Sequence, residues 1–486
     1  ETIRSLMNTE CLIPDWLGDI FLGYGDPTSA HYSNLSEETN LVDFHDTFLD
    51  TNHLVESFPG YSVELSSDQH SRFWKLLFND NKSIIATPYF KTHSLLEHHV
   101  EVKTNLIRFT PRQVEAIRGG IQNGLTMIVG PPGTGKTDVA VQIISTLFKT
   151  YPNQRTLIVT HSNQALNQIF EKIINLDVDE MKLIRLGHGE EELATTKDFS
   201  RNGRVNCVLA RRLELIQKVV DLQKSLGIEG MTQHTCETAD NFYTYQIIPR
   251  IKEFNSNLQH NDGSIENVSS SFPFTTFMNS VTEKLFDGVS FEEDRNKAKE
   301  YIEYIGNLFS ELKEYRPFEL LRTARDRSNY LVIKTCRIIA MTCVHAALKR
   351  KDLVDLKFQY DNIIMEESAQ ILEVETFIPL LLQNPHDGYN KLKRIILIGD
   401  HNQLPPIIRN LAFQKFCNME QSLFSRFIRL GVPYVELDQQ GRSRPSICQL
   451  FSWRYNNLSS LPAVFESQLY KIANPGFLFE FQIINI

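Results

Sequence analysis

From residue 109 onward, short runs of apolar and largely β-branched residues alternate with stretches whose apolar residues recur at helical spacing. Runs of four or five apolar residues bounded by polar turns predict buried strands. Buried strands separated by helices are typical of a parallel sheet that is covered on both faces. The pattern therefore predicts an α/β core. The predicted strands are TMIV (126–129), TLIVT (156–160), IIAMT (338–342), NIIM (362–365) and IILI (395–398).

Residues 201–330 interrupt this alternation with a polar, helix-rich stretch. One predicted helix within it carries an apolar stripe along one face, which we expect to pack against a neighbouring helix. Pro317 is expected to end that helix, because proline lacks the N–H that a helix interior needs. The stripe consists of Tyr301, Ile302, Ile305, Leu308, Phe309 and Leu312. Before residue 109, the chain mixes short helical patterns with polar, turn-rich stretches such as GYGDPTSAHYSN and shows no recognisable chemistry.

Composition places the chain among ordinary globular proteins, since 42% of its 486 residues are apolar and 22% are charged. Its apolar runs are far shorter than the roughly 18 to 20 residues that a membrane helix needs, so no membrane association is expected. The seven cysteines never form a C-x-x-C pair, which argues against a zinc site and favours a reducing compartment. The net charge of −9 means that any nucleic-acid partner must bind in a local groove.

Both ends of the sequence suggest an excerpt from a longer protein. Residue 1 is Glu rather than Met, and the last residues, FQIINI, look like a strand without the rest of its domain. We therefore expect further activities to lie outside these residues.

A phosphate-binding loop follows the first predicted strand of the core. GPPGTGKT fits the pattern G-x-x-x-x-G-K-[ST], between a strand and a helix as that motif requires. Glycines let backbone N–H groups converge on phosphates, and the helix N-terminus adds its dipole. Lys136 is expected to reach the β- and γ-phosphates and Thr137 to help hold Mg²⁺. The loop residues are Gly130, Pro131, Pro132, Gly133, Thr134, Gly135, Lys136 and Thr137.

Carboxylates end the strand NIIM, where Glu366 and Glu367 stand side by side. The first can hold Mg²⁺ and the second can orient or deprotonate an attacking water molecule. The strand IILI runs into GDHNQLPP, which places Asp400 and Gln403 at the same edge of the sheet. Ligands bind at that edge in open α/β sheets. Either acidic strand end, taken alone, could also be a solvated turn.

The order of several motifs narrows the class of nucleotide-binding protein. FTPRQVEAI, GPPGTGKT, THSNQALNQ, MEESAQ, GDHNQLPP, SLFSRF and QQGRSRP follow one another in this chain. This set resembles the superfamily 1 helicases of the group related to the nonsense-mediated-decay helicase. The resemblance implies a P-loop NTPase with a RecA-like parallel sheet, a helical insertion and the beginning of a second RecA-like domain. It also implies ATP and Mg²⁺ as cofactors.

The resemblance assigns roles to further residues. Gln113 would read the adenine edge, Gln403 would sense the γ-phosphate, and Arg442 would deliver a charge-stabilising guanidinium from the second domain. With Glu367 as general base, the implied catalytic residues are Glu367, Gln403 and Arg442. Segments that touch the nucleic-acid backbone would contain Ser162, Asn163, Gln164 and Thr342. Taken singly, five of these residues have a plain alternative. Ser162 and Asn163 could be a helix cap, Thr342 a strand-end hydroxyl, Gln113 a surface glutamine, and Arg442 a surface or ion-paired arginine.

Stretches outside the motor motifs carry a more specific resemblance. CLIPDWLGDIFLGYGDPTSAHYSNL, RLGHGEEEL, DFSRNGRVN, SLFSRFIRLGVP and FSWRYNNLSSLP are similar to the intron-binding helicases of the spliceosome. This resemblance implies single-stranded intronic RNA and spliceosomal proteins as partners, and the nucleus as location. The implied domains are an N-terminal flanking region (1–108), a first RecA-like ATPase domain (109–200 and 331–436), a helical insertion (201–330) and the start of a second RecA-like domain (437–486).

Three departures from the wider helicase pattern qualify these expectations. Glu366 stands where most relatives have Asp, a change that a water-mediated metal contact could absorb. Gly441 stands where many relatives carry a tyrosine that stacks on adenine, which should weaken nucleotide affinity. The remaining motifs of the second domain lie beyond residue 486, so these residues alone are expected to be inactive.

The leading hypothesis is an ATP-dependent RNA helicase or translocase of the spliceosome that binds intron RNA. The alternative is a spliceosomal scaffold that docks RNA and has a weak or partly vestigial ATPase, as Gly441 and Glu366 would allow. A DNA-directed helicase is disfavoured by the flanking stretches.

Overall fold

The computed structural model describes most of the chain. The chain divides into two compact units, one built on residues 1–90, 103–200 and 332–486 and the other on the helices between Arg201 and Leu331. The described residues are 4, 11–35, 41–66, 71–79, 81–89, 103–229, 234–260, 265–279, 285–286, 290–467 and 470.

A mixed four-stranded sheet forms the N-terminal part of the first unit. Its elements are α1 (Asp15–Leu22), α2 (Tyr32–Leu35), β1 (Leu41–His45), α3 (Thr51–Glu56), β2 (Ser62–Leu65), β3 (Phe73–Asn79) and β4 (Ser83–Pro88). The strand order is β1-β3-β4-β2, with β2 parallel to β4 and the other pairs antiparallel. The sequence pattern did not predict this sheet, because short apolar runs such as FWKLLFN suit a helix segment as well as a strand.

The rest of the first unit is organised around a parallel sheet. Its strands are β5 (Gly124–Val129), β6 (Thr156–Thr160), β7 (Leu183–Arg185), β8 (Ile338–Thr342), β9 (Asn362–Glu366), β10 (Arg394–Gly399) and β11 (Tyr434–Glu436). The order is β11-β5-β10-β9-β6-β8-β7, and every neighbouring pair is parallel. The predicted α/β fold class and its predicted strands are confirmed.

Two strands of this sheet, β7 and β11, were not predicted. Each is three residues long, too short to show a periodic pattern. By contrast, β5, β6, β9 and β10 are buried along their whole length. Full burial on both faces explains why these strands read as continuous apolar runs.

Helices on the faces of the sheet provide that burial. Those that pack against its strands are α4 (Pro111–Ile121), α5 (Lys136–Thr150), α6 (Asn163–Ile174) and, after the insertion, α14 (Cys343–Asp355). The later helices of this unit are α15 (Glu373–Leu380), α16 (Leu411–Phe416) and α17 (Leu423–Arg429). Apolar side chains of the N-terminal sheet, the parallel sheet and α4 to α6 belong to one hydrophobic core. The core therefore holds the carboxyl ends of the parallel strands in fixed register.

In its described residues, the second unit is built mainly from helices. Its α-helices are α7 (Arg201–Ser225), α8 (Cys236–Phe242), α9 (Ile248–His260), α10 (Ile265–Ser271), α11 (Thr275–Asn279), α12 (Phe291–Leu320) and α13 (Ala324–Tyr330). The predicted apolar stripe lies on α12, where Ile302 is half-buried and the other five residues are buried. The expectation that Pro317 ends this helix is wrong, since α12 continues to Leu320. Phe318 is fully buried, and its packing offsets the missing N–H near the helix end.

After β11 the described chain contains only short elements. They are β12 (Gln439–Gln440), α18 (Pro445–Ser452), β13 (Ser459–Ser460) and α19 (Pro462–Glu466). β12 and β13 pair in parallel, which ties the segment after β11 into a small separate sheet. Across the described ranges, none of the helices is both long and apolar enough to cross a membrane.

Candidate active site and nucleic-acid edge

The carboxyl ends of three adjacent strands bring the predicted nucleotide-site residues together. Val129, the last residue of β5, pairs with Gly399 of β10, and β10 also pairs with β9, which ends at Glu366. The Gly130 N–H donates to the Gly399 carbonyl at 2.9 Å. The phosphate loop, the Glu366 strand end and the loop after β10 therefore lie side by side.

The phosphate loop adopts a conformation that depends on glycine. Gly133 and Gly135 have φ angles of 78° and 75°, in the left-handed region that other residues rarely adopt. A Cβ atom at Gly130 would lie 2.2 Å from Cγ of Lys136, so only glycine allows the lysine side chain to fold over the loop. The loop ends where α5 begins, at Lys136. The resulting cradle of backbone and helix N-terminus suits a phosphate group.

Lys136 lies between the loop and the acidic strand end. Its Nζ donates to the Gly130 carbonyl at 2.9 Å and lies 3.9 Å from Oε1 of Glu367. Glu367 has a φ of 54° and accepts a hydrogen bond from Gln370 at 3.3 Å. A strained backbone at the residue after a buried strand is common where a side chain must face a ligand. The two charged groups thus form an ion pair beside the loop.

Thr137 and Glu366 are joined directly. The Thr137 hydroxyl donates to Oε1 of Glu366 at 2.5 Å, and Glu366 is only 3% exposed. Burial raises the pKa of Glu366 to about 7, with Glu367 adding to the rise and the Thr137 hydrogen bond opposing it. A buried carboxyl group of this kind favours a nearby positive charge.

The Thr137 hydroxyl oxygen and the Glu366 carboxyl oxygen are suitable ligands for a Mg²⁺ ion. Mg²⁺ is usually held by one or two carboxylates together with substrate phosphates rather than by a cage of protein ligands. In the part of the chain that the structure describes, no group of three or more His, Cys, Asp or Glu side chains could hold a metal by itself. The longer side chain of Glu366 reaches the Thr137 hydroxyl without an intervening water, so the replacement of Asp leaves the pair intact.

The loop after β10 is organised by Asp400. Its Oδ2 accepts hydrogen bonds from Nε2 of Gln403 and from the Tyr455 hydroxyl, both at 2.7 Å, and its Oδ1 accepts from the Asn402 N–H at 3.0 Å. Asp400 is 1% exposed. The carboxylate therefore fixes the Gln403 side chain within the loop after β10, and the end of β10 adjoins the end of β5.

Gln113, the predicted adenine-reading residue, is engaged within the protein. Its Oε1 accepts from the Thr110 N–H at 2.8 Å, which completes a capping box at the start of α4, and its Nε2 donates to the Thr134 carbonyl at 2.9 Å. It is buried rather than a surface residue. An amide keeps one further N–H and one further lone pair, so this arrangement fixes Gln113 against the loop without excluding a base.

The segment at 440–442 packs against the phosphate loop. The Gly441 N–H donates to the Gly133 carbonyl at 2.9 Å, and a Cβ at Gly133 would lie 2.6 Å from Cβ of Arg442. The Arg442 residue is exposed, and among the described residues its guanidinium forms no ion pair. The backbone thus holds Arg442 at the loop while its charge stays available to a phosphate.

The residues predicted to contact nucleic acid lie further along the same edge. β6 pairs with β8 so that Thr160 faces Thr342, and α6 and α14 begin next to these strand ends. The Ser162 hydroxyl accepts from the Ala165 N–H and the Thr342 hydroxyl from the His345 N–H, both at 3.2 Å. Ser162 therefore caps α6, as its plain alternative predicted, and Thr342 both ends β8, as its alternative predicted, and caps α14. Each hydroxyl keeps its own proton for another acceptor. Exposed side chains here are Ser162, Asn163 and Gln164.

Sequence reasoning missed two polar residues that organise this edge. Tyr455 bonds Asp400, as described above, and Arg185 at the end of β7 is fully buried and donates to Asn163 Oδ1 at 3.0 Å and to Asn167 Oδ1 at 2.9 Å. None of these three contacts follows from spacing, since the partners are 55, 22 and 18 positions apart. The only local signal was a long polar side chain beside a predicted turn or strand.

Comparisons with known proteins agree with this geometry. The family model described as "AAA domain" matches residues 108–410, and a model described as "Intron-binding protein aquarius insert domain" matches residues 37–105. The second match covers the strands of the N-terminal sheet that the sequence pattern did not predict.

Two curated relatives align with all or nearly all of the chain. It is 53% identical to "RNA helicase aquarius" of Mus musculus, with 100% of the chain and 35% of that protein aligned. It is 25% identical to "Pre-mRNA-splicing factor cwf11" of Schizosaccharomyces pombe, with 99% and 36% aligned. A "Regulator of nonsense transcripts 1 homolog" of Arabidopsis thaliana is 25% identical over 82% of the chain and 25% of its own length. The chain thus spans about a third or less of these relatives.

Proposed function

The chain belongs to the AAA domain family, and from this premise we propose that it is the motor part of an ATP-dependent RNA helicase or translocase that acts on intron RNA during pre-mRNA splicing. One observation carries the proposal. A phosphate loop, a Thr137–Glu366 pair, the adjacent Glu367 and an ordered Gln403 share one edge of a parallel sheet. Nucleotide hydrolysis requires a phosphate-binding loop, oxygen ligands for a metal ion and a general base, and the chain has a candidate for each.

Relatives supply the substrate class. The printed names of the mouse and fission yeast relatives are an RNA helicase and a pre-mRNA-splicing factor, and both align over nearly the whole chain. We extend RNA, spliceosomal proteins and a nuclear location to this chain on that basis. The division into a flanking region, a first RecA-like domain with its insertion and the start of a second such domain is part of the same proposal.

Hydrolysis would use the chain's residues as follows. The loop N–H groups and Lys136 would bind the β- and γ-phosphates of ATP, and Gln113 would read the adenine edge. Thr137 and Glu366 would hold Mg²⁺, which when bound neutralises charge on the phosphate oxygens. Glu367 accepts a proton from water as the water oxygen bonds to the γ-phosphorus. The bond from that phosphorus to the bridging oxygen breaks, which yields ADP and phosphate.

Two further residues would couple this reaction to movement. Arg442 lies against Gly133 and can stabilise charge that develops on the γ-phosphate. Gln403 lies at the neighbouring strand end and can register loss of the phosphate. Nucleic acid would then lie across the starts of α6 and α14, at Ser162 to Gln164 and Thr342.

Replacing Lys136 tests the proposal directly. In the full-length protein, Lys136→Ala should lower ATP turnover by at least about 100-fold, because it removes the charge that holds the transferring phosphoryl group. Lys349→Ala serves as the control, since Lys349 is exposed and forms an ion pair with Asp352 one turn away on the same helix. Turnover that is unchanged in Lys136→Ala would contradict the proposed ATPase.

A second candidate is an RNA-docking scaffold of the spliceosome with a weak ATPase. Gly441 favours it, because the residue beside the loop offers no aromatic face to adenine. Splicing extracts supplied with a Glu367→Gln protein separate the two functions. Normal assembly and splicing would support the scaffold, whereas a stalled complex would support the motor.

A further inference from the structure

Asp400 joins the candidate sensor residue to a segment that lies far from it in the sequence. One oxygen of its carboxylate, Oδ2, is shared by the Gln403 amide and the Tyr455 hydroxyl, at 2.7 Å each. A buried carboxylate holds such donors strongly, because charge-assisted hydrogen bonds are roughly twice as strong as neutral ones. Any displacement of Tyr455 therefore acts on the same oxygen that holds Gln403.

Neighbouring contacts make this connection a specific interface. Nδ2 of Asn402 donates to the Arg454 carbonyl at 3.2 Å, and Nη1 of Arg454 donates to the Asn402 carbonyl at 3.1 Å. Nδ2 of Asn456 donates to Oε2 of Glu436 at 2.7 Å, at the end of β11. Residues 454–456, here called the latch segment, are thus bonded both to the loop after β10 and to β11.

The Tyr455 hydroxyl and the Gln403 amide differ in what each can still bind while it donates to Asp400. Burial, together with the Asp400 carboxylate, raises the pKa of the Tyr455 hydroxyl above its ordinary value, so the group stays protonated and remains a donor. The Gln403 amide nitrogen is occupied by Asp400, while among the described residues nothing donates to its amide oxygen. That oxygen is the atom left to meet a water molecule near the γ-phosphate.

We propose that Tyr455 is a positioning residue that couples Gln403 to the latch segment through Asp400. The inference rests on the proposed ATPase and deepens it by naming the path from the sensor to the residues that follow the first motor domain. When the Tyr455 hydroxyl bonds Asp400, the Gln403 side chain is held in the orientation needed for hydrolysis. When the latch segment moves, Asp400 and Gln403 lose that restraint together.

Tyr455→Phe tests this proposal, because it removes the hydroxyl and keeps the ring. In the full-length protein, we expect the kcat for ATP turnover with single-stranded RNA to fall about tenfold, since one hydrogen bond to a charged group is lost. The KM for ATP should change less than about twofold, because Tyr455 does not touch the phosphate loop. Thermal melting should stay near that of the wild-type protein.

Asn456→Ala provides the matched control. It removes a hydrogen bond of the same segment that leads to Glu436 and not to Asp400. If both variants lose kcat equally, or if Tyr455→Phe keeps the wild-type kcat, the proposed coupling is overturned. Wild-type protein and Lys136→Ala are measured alongside. If the wild-type protein shows no ATP turnover, the proposed ATPase itself is contradicted. If the wild type turns over ATP and Lys136→Ala does not, the ATPase stands, and the kcat of Tyr455→Phe then tests only the proposed coupling.

Discussion

The two halves of one sheet edge are built differently. In the nucleotide half, at the ends of β5, β10 and β9, a buried carboxyl group is bonded to a half-buried hydroxyl that lies far away in the sequence, as in the Thr137–Glu366 and Tyr455–Asp400 pairs. In the nucleic-acid half, at the ends of β6 and β8, Ser162 and Thr342 bond the backbone three residues ahead. Buried carboxyl groups thus organise the nucleotide half, whereas the proposed RNA-contacting side chains of the other half are exposed or half-buried, and one of them, Asn163, is held by the buried Arg185.

The difference reflects the work each half is proposed to do. Hydrolysis requires charges that are fixed before the reaction and shielded from water, because preorganised groups act most strongly in a low-dielectric site. Holding a polymer requires exposed donors that can release one phosphate and bind the next. Variants in the two halves should therefore affect different measurements.

Glu367→Gln should give the largest effect, confined to the nucleotide half. Removing the candidate base while keeping the shape of the side chain should lower kcat for ATP hydrolysis by about 10² to 10³-fold. Binding of ATP and of single-stranded RNA should persist. Quenched-flow hydrolysis and equilibrium binding assays measure the two quantities separately. If binding is lost along with turnover, the assignment of Glu367 to the chemical step is wrong.

Replacing both caps should give an intermediate effect, confined to the nucleic-acid half. Ser162→Ala with Thr342→Ala should weaken single-stranded RNA binding about three- to tenfold, because two hydroxyl donors are lost. The loss of each cap should also lower stability by about 1 kcal/mol. Fluorescence anisotropy with labelled RNA measures the affinity, and the KM for ATP should be unchanged.

A cap elsewhere controls for the loss of stability. Thr323→Ala removes a comparable cap, since the Thr323 hydroxyl accepts from the Asp326 N–H at 3.0 Å in the helical unit. This variant should lower the free energy of unfolding and leave the affinity for RNA unchanged. If it weakens RNA binding as much as the edge variants do, the separation of the two halves fails. Matched DNA strands as competitors would show whether the edge prefers RNA.

The smallest effect should come from a buried carboxyl group outside both halves. Asp46 accepts from the Asn105 N–H at 2.7 Å, and burial raises its pKa to about 6. The folded protein therefore binds this proton more tightly than the unfolded chain. The resulting stabilisation is complete below about pH 4, and about 3 kcal/mol of it is lost as the pH rises through 6.

Asp46→Asn should flatten that pH dependence. Asparagine keeps the oxygen acceptor and tolerates the left-handed φ of 46°, and it has no proton to lose. Denaturant melts at several pH values measure the free energy of unfolding, with the exposed Glu64→Gln as control. Equal slopes for Asp46→Asn and the wild type would contradict the raised pKa. ATP turnover and RNA binding at a fixed pH should be unaffected.

The parallel sheet could be predicted because its strands are buried on both faces. Burial leaves a continuous apolar run in the sequence, and the motifs at the strand ends then fix which edge carries polar groups. Thr137 and Glu366 are 229 positions apart in the sequence. Their closeness follows from the strand order, because β10 pairs with both β5 and β9. The residue roles within that edge stay predictions.

Contacts that depend on tertiary packing could not be predicted. The N-terminal sheet contains short strands in mixed pairings, and β7 and β11 are too short for a periodic signal. Tyr455 and Arg185 look like ordinary polar residues until the fold brings their partners within hydrogen-bond distance. Gln113 was predicted as a base-reading residue, but its role in the capping box with Thr110 appears only in the structure.

RNA-stimulated ATP turnover tests the central claim most directly. The full-length protein and its Lys136→Ala variant are assayed with increasing single-stranded RNA. If the two halves of the edge belong to one motor, RNA should raise the turnover of the wild type and leave Lys136→Ala inactive. Turnover that is absent from the wild type, or that does not respond to RNA, would contradict the motor.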